Sequence, residues 1–343
     1  MLLRQLFDQE TWTYTYLLAD LENSEAIIID PVVEQVERDL TLLTELGLEL
    51  IYTLDTHVHA DHVTGSGELR RRTGAISAIS AQAAVGCADR ALKHGDVISF
   101  GRYSLRTLST PGHTSGCLTF VVDAEQTLAF TGDALFIRGC GRTDFQQGDS
   151  RALYHSVHTH IFGLPDDTII YPGHDYQGHT QSTVREEKAH NKRLSTGVSE
   201  EDFVTLMNNL GLPHPKRIHE ALPANMACGL SAQEQELLPE QGSVKELSVK
   251  SLDGFQDSLV IDVRNPEEFR GKLGHLPNAV LAPLSTLAQS AKSWKRNDPV
   301  LVVCGSGKRS AKGCSILLEM GFTNVTNLSG GMVAWQAEQE VNR

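Results

Sequence analysis

The sequence contains no run of eighteen apolar residues, the length that a membrane-spanning helix needs, so no such span is expected. It has no internal repeat and no low-complexity tract. It has no excess of positive charge either: 30 Lys and Arg stand against 43 Asp and Glu, a formal net charge of −13. That balance argues against nucleic acid and against an anionic membrane surface as partners. Its six cysteines, at 87, 117, 140, 228, 304 and 314, form no CxxC pair and are far sparser than a disulfide scaffold requires. The start, Met1-Leu2-Leu3-Arg4-Gln5-Leu6-Phe7-Asp8, lacks the apolar region of a secretory signal. Together these absences lead to the expectation of a reducing, cytoplasmic setting.

What remains is a globular α/β composition. Hydrophobic residues make up 40% of 343 residues, enough for two cores. Charge is divided unevenly. From Lys245 onward there are 12 basic and 10 acidic residues, net +2, whereas the preceding part carries 18 and 33, net −15. Two domains of different character are therefore expected, 1–240 and 245–343, joined through Pro239-Glu240-Gln241-Gly242-Ser243. In the first, strand patterns are expected at 14–19, 26–30, 104–108, 118–122, 127–131 and 168–171, with helices at 34–46 and 67–72. From 180 to 238 the pattern turns helical, broken by prolines at 213, 215 and 223. In the second, strands at 258–263, 280–284 and 300–303 and a helix at 309–320 suggest a small parallel α/β domain.

Chemistry concentrates at Thr56-His57-Val58-His59-Ala60-Asp61-His62, directly after the apolar run Leu50–Leu54. Four metal-capable side chains thus lie on the loop leaving a strand's carboxyl end, where open α/β sheets place their ligands. Three more follow where other strands end: His113 in Pro111-Gly112-His113, Asp133 in Thr131-Gly132-Asp133, and His174 in Pro172-Gly173-His174. A lone histidine after a strand is most often structural, but imidazoles and carboxylates converging from four strand ends make a metal site. Seven such residues are enough for two metals, or for one metal with the others supporting its ligands, and ligand chemistry alone does not choose.

This pattern resembles the metallo-β-lactamase superfamily over residues 1 to about 240, which implies an αβ/βα sandwich. That superfamily includes zinc hydrolases such as glyoxalase II and an iron branch, the persulfide dioxygenases. The run Gly132-Asp133-Ala134-Leu135-Phe136, with Gly139-Cys140-Gly141, is shared by both. Its continuation Arg142-Thr143-Asp144-Phe145-Gln146 is similar to the iron branch, as are Tyr171–Tyr176, Ser182–Glu187 and Leu222-Pro223-Ala224-Asn225-Met226. The resemblance implies one Fe(II) per chain on His57, His113 and Asp133, with His59, Asp61, His62 and His174 around it or forming an alternative second metal site. It implies glutathione persulfide and dioxygen as substrates, and sulfite and glutathione as products. Arg142, Tyr176, Asn191 and Arg193 are the candidate glutathione contacts. For Arg142 the alternative is an ion pair with Asp144, and for Asn191 and Arg193 it is a solvated helix end. Cys140 is assigned no chemical step.

A second site is expected in Val300-Leu301-Val302-Val303-Cys304-Gly305-Ser306-Gly307-Lys308-Arg309-Ser310, a strand, a tight loop and a helix start. A cysteine opening such a loop faces backbone N–H groups and a helix N-terminus, which favour its thiolate and a bound anion. Lys308 and Arg309 add positive charge. With Ile261–Phe269, Gly274–Ala279 and Gly330–Trp335, the region resembles a rhodanese, a doubly wound α/β sulfurtransferase domain in which Cys304 would carry sulfane sulfur. Many rhodaneses have arginine directly after the cysteine; here the residue is Gly305, which puts a preference for thiosulfate in question. Cys314 is read as packing. The combined expectation is a persulfide dioxygenase fused to a thiosulfate/glutathione sulfurtransferase, with self-association left open. The alternatives are a dinuclear zinc thioesterase resembling glyoxalase II with an attached sulfurtransferase, and a persulfide carrier or sensor.

Overall fold

The central strands of the first half are buried on both faces, and the layering follows from that. In the computed structural model, which describes residues 1–213, 215–231, 245–249, 252 and 258–341 (the side chains of Lys308, Glu319, Glu340 and Val341 excepted), the chain divides into two compact units, Met1–Leu238 and Pro239–Arg343. The expected linker, 239–243, lies outside the described residues.

In the first unit, β1 (Leu2–Asp8), β2 (Thr13–Asp20), β3 (Glu25–Ile29), β4 (Glu49–Leu54), β5 (Ile76–Ser80) and β6 (Arg90–Leu92) form one six-stranded sheet in that order. A second six-stranded sheet comprises β7 (Val97–Phe100), β8 (Tyr103–Ser109), β9 (Leu118–Asp123), β10 (Thr127–Gly132), β11 (Ile169–Pro172) and β12 (Ser182–Thr183), again laid out consecutively. Alternation along each strand assigns the faces. Tyr14, Tyr16, Leu18, Ile27, Ile29 and Leu54 meet Phe100, Leu105, Leu118, Phe120 and Phe130 between the sheets. Leu17, Ala19, Ala26 and Ile28 point the other way, against Val36 and Leu43 of α1 (Val36–Leu46) and Leu69 of α2 (Ser66–Thr73). On the far side, Val121, Ala129 and Ile170 pack on Leu153, Val157, Ile161 and Phe203 from α3 (Ser150–Ser156), its π-helical continuation Val157–Ile161, and α5 (Glu200–Asn208), with α4 (Val184–His190) between those helices in sequence. The result is helix, sheet, sheet, helix: the expected αβ/βα sandwich.

Periodicity alone did not reveal β1, β5, β6 or β7, which are short or irregularly patterned. Nor does Pro223 interrupt its helix: α6 runs Ile218–Met226 with that proline inside it. Helix α1 ends as expected at Gly47, whose φ of 64° is the left-handed conformation of a helix C-cap.

The second unit is a parallel sheet ordered β13 (Lys245–Leu247), β17 (Val325–Leu328), β16 (Val300–Val303), β14 (Leu259–Asp262) and β15 (Val280–Leu281). Val300 and Val302 of the central strand face one core and Leu301 and Val303 the other, so helices cover both sides, as in a doubly wound domain. Among the described residues of this unit, the α-helices are α7 (Pro266–Phe269), α8 (Leu287–Ser290), α9 (Lys308–Glu319) and α10 (Gly331–Val341). No described helix is long and apolar enough to cross a membrane.

Candidate metal centre and thiol site

Four strand ends of the first unit deliver the expected side chains to one place. His57 follows β4, His113 follows β8, Asp133 follows β10 and His174 follows β11. The parallel pairing of β10 with β11 puts Gly132 opposite Pro172, so Asp133 and His174 leave adjacent strand ends. Gly132 is required there: at its φ of 48°, an added Cβ would stand 2.5 Å from the Thr56 hydroxyl.

His57, His113 and Asp133, all buried, bring one donor atom each to within 4.8 Å of one another. His113 Nδ1 donates to the Arg142 carbonyl at 2.6 Å, which leaves Nε2 facing Asp133 Oδ2 at 3.5 Å. His57 is held neutral: burial, then the neighbouring His59 and His113, drive its pKa well below the ordinary imidazole value. Asp133 Oδ1 is buried with no hydrogen-bond partner, a lone-pair site left for a cation. Two imidazoles and one carboxylate suit a borderline divalent metal such as ferrous iron, with coordination positions to spare. The donor set therefore fits the iron that the resemblance implies.

The remaining four residues divide into two groups. His59 turns away: its Nε2 lies 3.1 Å from Asp30 Oδ1 and 3.9 Å from Asp55 Oδ1. Although burial opposes its protonation, the Asp30 carboxylate outweighs that and lifts its pKa to about 9. Asp61 pairs with His62 Nδ1 at 2.9 Å and approaches His174 Nε2 at 3.6 Å. Burial would raise the Asp61 carboxyl, but His62 and His174 hold it well below the usual range. His174 is raised in turn, since Asp133 and Asp61 overcome its burial, and its Nδ1 donates to the Trp12 carbonyl at 3.1 Å. His59, Asp61 and His62 also lie close enough to hold a second ion: Asp30 engages only His59 Nε2, and His59 Nδ1 and His62 Nε2 are buried without hydrogen-bond partners.

Several supporting residues escaped the sequence reading. Asp30 accepts from the Thr56 N–H at 2.7 Å and its hydroxyl at 2.8 Å, bracing the residue just before His57. It sits at the carboxyl end of β3, the same signal that singled out Asp133. Asn225 is buried in α6 and donates to the carbonyls of His59 and His62 while accepting from the Thr64 N–H, each at 2.8 Å. Its motif, Leu222–Met226, stood out in the sequence, but its contact with the metal loop did not. A disulfide joins Cys87 to Cys228, two residues beyond α6, across a separation of 141 residues. The cysteine spacing gave no sign of it, and it corrects the picture of a chain with only free thiols.

The candidate substrate contacts fare unequally. The Arg142 guanidinium forms a paired contact with Asp144 at 2.6 Å, donates to the Leu212 and Pro213 carbonyls, and lies 5.0 Å over the Phe145 ring. That is the ion-pair alternative. Asn191 is 1% exposed, with its amide spent on Glu187 and on the Phe136 and Gly139 carbonyls, so it is an internal strut and offers nothing to a ligand. Arg193, half-buried, donates to the Cys140 carbonyl at 2.9 Å. Tyr176 is the exposed one, at 61%, its ring parallel to His174 and 6.0 Å away. Cys140 is buried, which pushes its thiol up to about 11.

In the second unit, Cys304 stands at the carboxyl end of the central strand β16. Burial raises its thiol, but hydrogen bonds from the Ser310 hydroxyl and N–H and from the Ser306 and Gly307 N–H groups overcome this and hold it below the ordinary value. The Ser310 hydroxyl is 3.3 Å from Sγ. The start of α10 clamps the loop: Met332 N–H donates to the Cys304 carbonyl at 2.8 Å and Val333 N–H to Gly305 at 3.0 Å. Gly331 permits that approach, since a Cβ there would fall 2.3 Å from the Cys304 oxygen. Arg309 forms a two-point contact with Glu268, at 2.7 and 2.5 Å, and the Lys308 side chain is outside the described residues. Cys314 lies in the core, and burial pushes its thiol up to about 12.

Comparisons with known proteins agree with these two halves. Residues 13–174 match the metallo-beta-lactamase superfamily and residues 244–338 the rhodanese-like domain. "Persulfide dioxygenase ETHE1, mitochondrial" from Homo sapiens is 54% identical over 230 residues, 67% of this chain and 89% of that protein. The crystal structure of ETHE1 from Myxococcus xanthus superposes with a TM-score of 0.65 at 49% identity, over 67% of this chain and all of that one. A metallo-beta-lactamase from Staphylococcus aureus, 22% identical, shares the fold over 96% of this chain and 98% of its own, with a TM-score of 0.62.

Proposed function

The chain belongs to the persulfide dioxygenase family of the metallo-beta-lactamase superfamily and carries a rhodanese-like domain behind it. From that premise we propose that it converts glutathione persulfide, dioxygen and water to glutathione and sulfite at one ferrous site, and transfers sulfane sulfur at Cys304. The observation that carries the first half is the buried triple of His57, His113 and Asp133, whose donor atoms lie within 4.8 Å of one another. Three protein ligands would leave room on one ion for a small thiolate and dioxygen.

Ferrous iron bound there supplies the redox chemistry that lets dioxygen react with a persulfide sulfur. The protein's residues do the rest. The Arg142 carbonyl fixes the His113 tautomer. Asp30 and Asn225 hold the His57–His62 loop at both ends of its turn. His174, between Asp133 and Asp61, orients the Asp133 carboxylate.

At Cys304 the thiolate attacks the outer sulfur of thiosulfate. The S–S bond breaks, sulfite leaves with the electron pair, and a cysteine persulfide remains. A glutathione thiolate then takes that sulfur, releasing glutathione persulfide and the Cys304 thiolate. With Gly305 next to the cysteine and Arg309 paired to Glu268, the loop N–H groups offer an anion cradle among the described residues.

The test is metal analysis with oxygen uptake on glutathione persulfide. One iron per chain and stoichiometric sulfite are expected, with both lost in His113→Ala and Asp133→Ala. Two zinc ions per chain and hydrolysis of a glutathione thioester would overturn the reading in favour of a thioesterase. Full iron and normal uptake in either variant would remove the ligand assignment.

A further inference from the structure

We propose that Trp12 is a specificity-determining residue of the metal centre: its ring and that of Tyr176 form the face on which the organic carrier of the persulfide packs. The inference rests on the dioxygenase reading above and concerns the carrier.

Trp12 ends the turn between β1 and β2, and that turn is fastened to the centre. Thr13 pairs with His174 as an isolated bridge, and Tyr14 N–H donates to the Gly173 carbonyl at 2.9 Å. The Trp12 carbonyl accepts from His174 Nδ1 at 3.1 Å, and the Thr13 hydroxyl reaches Asp61 Oδ2 at 3.3 Å. The residue is therefore one hydrogen bond from a side chain that touches Asp133.

Its conformation is unfavourable for its type. Trp12 has φ 61°, a region that a bulky residue seldom occupies and that glycine adopts freely. A tryptophan retained there keeps its ring where a glycine would leave none. That ring is 45% exposed, flanked by Phe7 at 37% and Tyr176 at 61%, with centroids 6.0 and 6.2 Å from Trp12. Three large aromatic faces turned to solvent beside a metal centre form a binding surface of the kind seldom left bare without a ligand to cover it.

The nearby arginines point the same way. Arg142 is engaged by Asp144 and two carbonyls, Arg138 by Glu187 and Ser182, and Arg193 by the Cys140 carbonyl. Flat aromatic faces, with one phenol hydroxyl, lie beside His174. They suit the methylenes and planar amides of a small peptide thiol. A persulfide with no organic part would have nothing to place there.

The test uses the full-length, metal-loaded protein. Of its three tryptophans, Trp294 and Trp335 lie in the second unit. Changing both to phenylalanine leaves Trp12 as the only indole reporter. Titration with unreactive S-methylglutathione is expected to shift its emission saturably. Trp12→Gly, which relaxes the backbone, is expected to keep metal content and thermal midpoint while raising KM for glutathione persulfide about tenfold and changing kcat less than about twofold. Its kcat/KM for inorganic hydrodisulfide should equal that of wild type, and Trp12→Phe should restore most of the glutathione persulfide KM. An unchanged KM in Trp12→Gly, an unresponsive emission, or loss of metal with kcat would each overturn the inference. If the wild type consumes no oxygen with any persulfide, the dioxygenase reading fails, and the emission titration still decides whether Trp12 meets a peptide thiol.

Discussion

Asn225→Ala should loosen the metal loop from a distance, and its magnitude follows from the contacts. The side chain makes three buried hydrogen bonds, to the His59 and His62 carbonyls and from the Thr64 N–H, all at 2.8 Å. A typical bond contributes about 1 kcal/mol net, and a buried partner left unsatisfied costs about 1–3 kcal/mol. A small cavity lined by His57, His59, Thr64 and Asn225 adjoins the site, so water entering beside the new alanine would recover part of the loss. For three such partners the loss would be about 3–9 kcal/mol, and with that recovery the expected destabilisation is about 3 kcal/mol, at the lower end. For a unit of this size, spanning Met1–Leu238, that corresponds to a fall of about 6–12 °C in the thermal midpoint. The loop carries His57, so metal retention under a chelator should fall with it. Asn225→Asp keeps the acceptor for Thr64 but turns a carboxylate toward two carbonyls, and should be at least as damaging. Calorimetry and metal analysis on the same samples check this. A midpoint within about 2 °C of wild type with unchanged metal retention would show that α6 does not brace the loop.

Other expectations follow from the two units and their thiols. Cys304→Ser should abolish sulfur transfer from thiosulfate while oxygen uptake on supplied glutathione persulfide persists; a parallel fall in uptake with iron retained would mean that Cys304 feeds the metal site directly. Because the Cys304 thiolate is favoured over that of an ordinary thiol, alkylation by iodoacetamide should reach its plateau at a lower pH than for a free thiol, and Ser310→Ala should move the midpoint upward; a midpoint unmoved by the substitution would reject the hydrogen-bond explanation. Reducing Cys87–Cys228 should lower the denaturant midpoint, with about 5 kcal/mol as the ceiling set by the entropy of so long a loop; equal midpoints with and without reductant would mean that the bond does not form in solution.

The local grammar of the chain was enough for much of this. Glu34–Leu46 ended at Gly47, the runs at 118–122 and 300–303 were strands, and the turn residues before His113, Asp133 and His174 marked strand ends. Those signals are short-range, since each depends on a few consecutive residues meeting one backbone geometry. The Cys304 loop was legible for the same reason: strand, thiol, N–H cradle and helix start lie within eleven residues. What depends on partners distant in sequence was not legible. That His59 turns to Asp30, that Arg142 reaches the 212–213 carbonyls beyond the anticipated Asp144, that Asn191 is buried, and that Cys87 meets Cys228 all require knowing which segments the two sheets bring together. A side chain's chemistry is fixed by its type, but its partner is chosen by packing. Thus the metal-binding potential of the seven residues was written in the sequence, whereas the partner that each of them meets was decided only when four strand ends and helix α6 closed around one loop.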